Sequence, residues 1–303
     1  MFDTIENIIY DNVFTSAIIN FLLNEMIQMN RKLIILDLDG TTLNSDSKIT
    51  DTTRYIIQEA ASLGNIVSII TGRPYRIAMP FYRRLGLTSP LITFNGGLGL
   101  IPGEKWPGAY QITFDRHIVN TIFKRQRELG LNLMAAEDRS HLMANKPSNA
   151  KLARETLDYF PSRLKSGQIL TQDNINFDPV CLAVQVQPFC MQLVTKYLRT
   201  NYKGIVKPAV WGGSLNVIEI AAQNVTKVTG IKKLAKYYHI ANKDIIAFGD
   251  QDNDYNTLKF VGHGVAMKNG LPDVKAVADD VTEYDNDHDG VARYLKSYLG
   301  LPY

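Results

Sequence analysis

Cysteine is scarce in this chain: Cys181 and Cys190 are the only two among 303 residues. That excludes a disulfide framework, and the pair lacks the spacing of a thiolate metal site. Reduced thiols are the default in a cytosolic protein, so a cytoplasmic location is expected. Histidine is sparse too; the five copies are scattered and read as surface or satisfied core positions. Excess charge is also missing. The 33 Lys and Arg against 30 Asp and Glu leave only +3, which argues against a nucleic-acid binder or a polybasic membrane partner. Long apolar runs are absent as well. In residues 1–28, Ile5, Ile8, Ile9, Phe14, Ile18, Phe21, Leu22 and Met26 recur at near-helical spacing. Asp3, Glu6, Asp11 and Glu25 interrupt them and no Lys or Arg is present, unlike a signal peptide. The apolar stretches are far too short to span a bilayer. Residues 1–28 are expected to form an amphipathic helical extension on the domain or on a partner subunit, or to lie upstream of a start at Met29. There is no internal repeat and no low-complexity segment.

What is present begins at Arg31. Leu33 to Leu36 is an unbroken apolar run that ends in Asp37-Leu38-Asp39-Gly40. Such runs read as strands buried on both faces. Two acids directly after one need a cation or a partner. At the carboxyl end of a central parallel strand, this is where open α/β sheets bind ligands. The bland reading is an Asp-rich turn, and the decision rests on what gathers at neighbouring strand ends. Thr50 is placed to cap a helix with Ile56, Ile57, Ala60, Ala61 and Leu63 on one face, ended by Gly64. Ile66–Ile70 then reads as a second strand running into Thr71-Gly72-Arg73-Pro74. Strand, helix and strand at this length make a right-handed βαβ unit, so Thr71 emerges beside Asp37. Pro90–Phe94 is expected as a third strand, closed by Asn95-Gly96-Gly97.

From about 98 to 221 the texture alternates, as in Gln111–Phe114, Leu131–Met134, Cys181–Gln187 and Leu215–Ile220, with helical patterns over Arg116–Leu129 and Phe189–Arg199. This predicts an inserted α+β domain whose antiparallel sheet has one wet face. Parallel-sheet texture returns after Asn224: a helix over Val225–Tyr238 with Lys227 in its first turn, a strand over Asp244–Phe248 running into Gly249-Asp250-Gln251-Asp252-Asn253-Asp254, a strand over Gly264–Met267, and a last helix from about Gly290 to Leu299. The fold class is therefore α/β, a Rossmann-like parallel-sheet core in 29–97 and 222–303 with an inserted α+β domain in 98–221.

Asp37, Asp39, Thr71, Asp250, Asn253 or Asp254, and Lys227 would meet at one sheet edge. Carboxylates brought together repel unless a hard dication sits among them, and oxygen-only ligation points to Mg2+. Metal, hydrogen-bond donors and a lysine together suit a phosphoryl group. An aspartate can serve as nucleophile, and an acid two residues on can protonate the leaving oxygen and then activate water.

Asp37-Leu-Asp-Gly-Thr41, Thr71-Gly-Arg73, Lys227 and Gly249-Asp-Gln-Asp-Asn-Asp254, in that order, resemble the haloacid dehalogenase-like phosphatases. The long insert before Lys227 resembles the Cof-type branch with its α/β cap, and the likeness covers roughly residues 30–300. The resemblance implies Asp37 as nucleophile and Mg2+ ligand, and Asp39 as general acid/base and ligand through its backbone carbonyl. It implies Asp250 as a further ligand, with Asp254 supporting the metal's waters. The Leu38 amide, Thr71, Gly72, Lys227 and Asn253 would hold phosphoryl oxygens, with Arg73 and Asn269 at the substrate rim. Val228 and Gly270 stand where the family commonly has Gly and Ala; neither removes a catalytic atom. A small phosphorylated metabolite, such as a sugar phosphate, is the implied partner, with no nucleic acid and no membrane; oligomeric state is left open. The alternatives are a phosphotransferase or phosphomutase using the same aspartyl-phosphate, and a receiver-like signalling module, against which Asp39 and the large insert argue.

Weaker patterns take blander readings. Asp250–Asp254 mimics the start of a calcium loop, but Tyr255 and Val261 stand where Gly and Glu are needed. Asp285–Gly290 is a closer mimic with Lys296 at its twelfth place, and reads as a helix-capping loop. Trp106, Trp211 and the tyrosines of the insert read as core, and Lys124, Arg125 and Arg127 as a solvated helix face.

Overall fold

The computed structural model describes residues 31–156, 158–211 and 215–301. The helix expected over 1–28 lies outside the described residues. The core strands are β1 (Leu33–Leu36), β2 (Ile66–Ile69), β11 (Ile245–Gly249), β12 (His263–Ala266) and β13 (Asp280–Val281), all parallel in the order β13-β12-β11-β1-β2. β1 lies inside the sheet between β11 and β2, and its four side chains are 0–1 % exposed. Ile34 and Leu36 pack toward the helices Asp51–Ser62, Tyr75–Leu85 and Gly290–Leu299. Leu33 and Ile35 face Ile231, Leu234, Leu258 and Val274 on the opposite layer. Burial of each such side chain contributes roughly 1.5–3 kcal/mol, which explains why a run apolar at every position, rather than alternating, forms here.

Thr50 caps its helix as expected, accepting from Thr53 N. The third strand, β3 (Leu91–Thr93), joins the parallel sheet through a single bridge between Ile70 and Ile92. It pairs instead with β4 (Leu98–Leu100), which pairs with β5 (Tyr110–Gln111), in a small antiparallel sheet. The strand expected over Gln111–Phe114 stops at Gln111; its partner among the described residues, β4, is three residues long.

The second five-stranded sheet is antiparallel, in the order β7 (Leu142–Ala144), β6 (Leu131–Glu137), β8 (Cys181–Val186), β10 (Val217–Ala222) and β9 (Val206–Val210). On one face Met134, Ala136, Leu182, Val184, Ile218 and Ile220 pack against Ile118, Val119, Ile122, Val194 and Leu198 of the helices Arg116–Lys124 and Met191–Asn201. The other face was expected to be wet and is not. Ala135, Ala183 and Val217 are covered by Tyr159 and Phe160, with Ile77 of the core beside them. This sheet is therefore clamped between its own helices and the rest of the molecule, which is the arrangement of an inserted cap. Side chains of three residues, Tyr159, Asn95 and Arg76, make polar contacts between cap and core. Tyr159 OH donates to Gly72 O at 2.7 Å, Asn95 Nδ2 to Glu219 Oε1 at 3.1 Å, and Arg76 Nε to Glu137 Oε1 at 2.8 Å. Among the described residues, no helix is long and apolar enough to cross a membrane.

Candidate active site

The chain leaves β1 through Asp37 and turns at once. Gly40 has φ +68°, and a Cβ there would stand 2.3 Å from Asp250 Oδ2. Only glycine allows both that conformation and that approach. Asp250 follows β11, the strand beside β1. Asp254 stands in the first turn of the helix Asp252–Phe260. One carboxylate oxygen from each of Asp37, Asp250 and Asp254 lies within 4.8 Å of the others, and all three residues are buried.

Lys227 opens the helix Lys227–Tyr238 and is 2 % exposed. Its Nζ donates to Asp37 Oδ1 at 2.7 Å and to Asp254 Oδ1 at 2.6 Å. The helix start is brought here by Gly96, whose φ is +99° and where a Cβ would lie 2.1 Å from Thr226 O. Thr41 Oγ1 donates to Asp250 Oδ1 at 2.8 Å. Asp254 Oδ2 accepts from the Asp250 and Gln251 amides at 3.2 and 3.3 Å.

Two of the three acids thus share one ammonium, while Asp250 is held by Thr41 and Gln251. Burial pushes the Asp37 carboxyl well above its ordinary range; Lys227 opposes this, while Asp254, Asp250 and Asp39 add to it. Burial, then Asp254, raises Asp250 to about 6 against the pull of Thr41, Gln251 and Lys227. Burial alone would lower Lys227, but Asp254 and Asp37 outweigh it and hold the ammonium above its usual value. We read Lys227 as charged and the acids as short of positive charge. An all-oxygen donor set with uncompensated negative charge fits a hard dication.

The remaining expected residues stand around this centre. Thr71 follows β2; its amide donates to Ile92 O and its Oγ1 accepts from Arg73 N. Arg73 is 4 % exposed and lies inside rather than at an edge. Its Nε donates to Asp39 Oδ2 at 2.7 Å, a second bond reaches Asp39 Oδ1, and the guanidinium sits over Phe81. Leu38 is buried, and its carbonyl accepts from Leu43 N. Asn253 is exposed and donates to Asn95 Oδ1 at 3.0 Å. Asn269 braces the first loop, donating to Gly40 O at 2.7 Å. Asp285–Gly290 forms the expected capping loop: Asp285 accepts from the Asp287 and His288 amides, and Asp289 accepts from the Thr50 and Thr53 hydroxyls.

Sequence reasoning missed Asn95, Tyr159 and Glu219, and read Trp211 as core. Trp106 is core, but Trp211 is half-buried, edge-on to Tyr159 at 4.6 Å and 3.4 Å from Glu219 Oε2. One signal was available: Glu219 is an acid inside the buried run of β10.

The model of the haloacid dehalogenase-like hydrolases matches residues 34–295. The chain belongs to that family. A 5-amino-6-(5-phospho-D-ribitylamino)uracil phosphatase of Bacillus subtilis is 31 % identical over 269 residues, spanning 89 % of this chain and 98 % of that one. A second B. subtilis phosphatase of the same description is 28 % identical over 273 residues, 88 % and 96 % of the two chains. A haloacid dehalogenase-like hydrolase from Bacteroides thetaiotaomicron shares the fold, with TM-score 0.77 at 23 % identity, over 88 % of this chain and 99 % of that one. Within the haloacid dehalogenase-like hydrolases the chain falls in the Cof-type, capped branch, and it is a phosphoric monoester hydrolase.

Proposed function

We propose that this chain is a Mg2+-dependent phosphatase of small phosphorylated metabolites, acting through an aspartyl-phosphate on Asp37. The observation that carries the reading is the convergence of Asp37, Asp250 and Asp254 on one point with Lys227 bound to two of them. Asp37, Asp250 and the Asp39 carbonyl would hold Mg2+, with Asp254 behind them. The ion would supply positive charge against the phosphoryl oxygens.

Asp37 attacks phosphorus as the ester bond breaks. Asp39 gives its proton to the leaving oxygen, then takes one from the water that cleaves the acyl phosphate, which releases phosphate and restores Asp37. Arg73 holds both oxygens of Asp39 in the resting site, and that grip opens for Asp39 to carry and give its proton. Lys227, Thr71, Asn253 and the amides of Leu38 and Gly72 neutralise and orient the phosphoryl group. Asn269 acts on the loop through Gly40. The cap lies over this edge and keeps bulk water out during turnover. The pairing of β4 and β5 with β3 supports a start of the cap's own fold after Gln111 rather than at residue 98. The relatives named for a ribityl phosphate support a polyol or sugar phosphate as substrate.

The test is a phosphate-release screen over small phosphomonoesters with and without Mg2+, run beside Asp37→Asn. Turnover that needs Mg2+ and drops by at least about 10,000-fold in the variant is expected; an active Asp37→Asn would refute the reading.

A further inference from the structure

The cap carries two buried acids on the face that meets the core. Register sets Glu137 opposite Cys181, and Glu219 opposite Ala183, in line with Ala135. Their surroundings differ. Glu137 receives a two-pronged grip from Arg76, at 2.8 and 3.1 Å. Glu219 is 6 % exposed, and its hydrogen-bond donors among the described residues are the neutral Asn95 amide at 3.1 Å and the neutral Trp211 indole at a long 3.4 Å. A carboxylate has about four acceptor positions, and burial with two neutral donors leaves it under-compensated.

Position gives this deficit a use. Asn95 links Glu219 to Asn253, since Asn253 Nδ2 donates to Asn95 Oδ1 while Asn95 Nδ2 donates to Glu219. A Cβ on Gly72 would touch the Asn95 amide at 3.2 Å, so the same amide borders the Thr71-Gly72 turn. Lys227 is near enough to act on Glu219 electrostatically. Asn95 and the bulky Phe94 before it both hold positive φ, 55° and 52°, a strained turn of the kind that collects at functional sites. The turn aims the Asn95 amide between cap and core. Trp211 and Tyr159 stand beside Glu219.

We infer that Glu219 is the specificity residue of this enzyme. Its carboxylate accepts a hydrogen bond from a hydroxyl or amine of the leaving group, which selects phosphomonoesters of polyols or amino-polyols over those of donor-free alcohols. The inference rests on the phosphatase reading above. A site built around a buried acceptor discriminates strongly, because a substrate without the donor leaves that acceptor with only its two neutral donors, Asn95 and Trp211.

The experiment measures kcat/KM for ribitol 5-phosphate and for phenyl phosphate in one preparation of each protein, and compares their ratio. Loss of folded protein cancels from that ratio. In Glu219→Gln the ratio is expected to fall about 10- to 100-fold relative to wild type. Glu219→Asp, which withdraws the charge by one methylene, is expected to lower it as well and serves if the first variant does not fold. An unchanged ratio in the folded variants overturns the inference while the phosphatase reading stands. So does a wild type that turns over phenyl phosphate but not ribitol 5-phosphate. A wild type inactive on both esters, or an Asp37→Asn as active as wild type, overturns the phosphatase reading and this inference with it.

Discussion

Replacing Lys227 by methionine keeps the length of a side chain that is 2 % exposed and removes the ammonium that Asp37 and Asp254 share. Breaking a buried ion pair from one side costs about 3–5 kcal/mol, because the stranded charge stays buried. Domains of ordinary stability have roughly 5–15 kcal/mol in total, so the loss is readable in urea unfolding followed by circular dichroism. The loss should depend on pH. Asp37 and Asp250 already titrate above their usual range, and without the ammonium they climb further. At pH 5 Asp37 and Asp250 take up protons and the penalty shrinks; at pH 8 it is complete. Adding Asp254→Asn removes one stranded charge, so the double variant should recover at least about 1 kcal/mol over Lys227→Met alone at pH 8. Phosphate release should drop about 100- to 1,000-fold through loss of a phosphoryl donor. A loss below about 1 kcal/mol at pH 8, or the same loss at pH 5 and pH 8, would refute the account of the charge balance.

Other expectations concern the metal, the first loop and the cap contact. Chelation with EDTA should abolish phosphate release and Mg2+ should restore it, with Mg2+ at 100 times its Kd raising the unfolding free energy by about 2.7 kcal/mol; activity surviving exhaustive chelation contradicts this. Gly40→Ala places a methyl 2.3 Å from Asp250 Oδ2 at φ +68°, so a loss of about 1–3 kcal/mol and of most turnover is expected in melting and activity assays. Glu137 is raised to about 7 by burial, against Arg76 and with Asp138, from an unfolded value of about 4.3. Its contribution is therefore complete below the unfolded value and fades as pH rises through about 7. Between pH 5 and 8 the wild type should lose up to about 3 kcal/mol relative to Glu137→Gln, and parallel stability curves for the two proteins would contradict that.

The core was legible because its strands are apolar at every position and end in acids, a pattern few other environments tolerate. Leu33–Leu36 and the last helix, Gly290–Leu299, fall where the sequence put them. Asp37, Asp250, Asp254 and Lys227 could be gathered in advance because parallel strands deliver their carboxyl ends to one edge. What failed depended on pairing between distant segments. Pro90–Phe94 was expected as a third strand and forms one over Leu91–Thr93, but local texture does not reveal its antiparallel pairing with β4. The wet face assigned to the cap sheet rested on alternation alone, and Tyr159 and Phe160, remote in sequence, cover it. Asn95 read as turn punctuation; only the folded chain brings Glu219, 124 residues away, against it.

The cap sheet has two unlike sides. Ile218 and Ile220 of β10 anchor the cap's private core, whereas Glu219 between them points the other way. One strand thus holds folding residues and the acid we infer to recognise substrate on opposite faces, separated by the backbone. Glu219 can be exchanged without opening a hole in the hydrophobic interior of Ile218 and Ile220 behind it. Such a layout lets a lineage retune what it accepts by single replacements at alternate positions, while the chemistry below and the stability of the lid stay as they were.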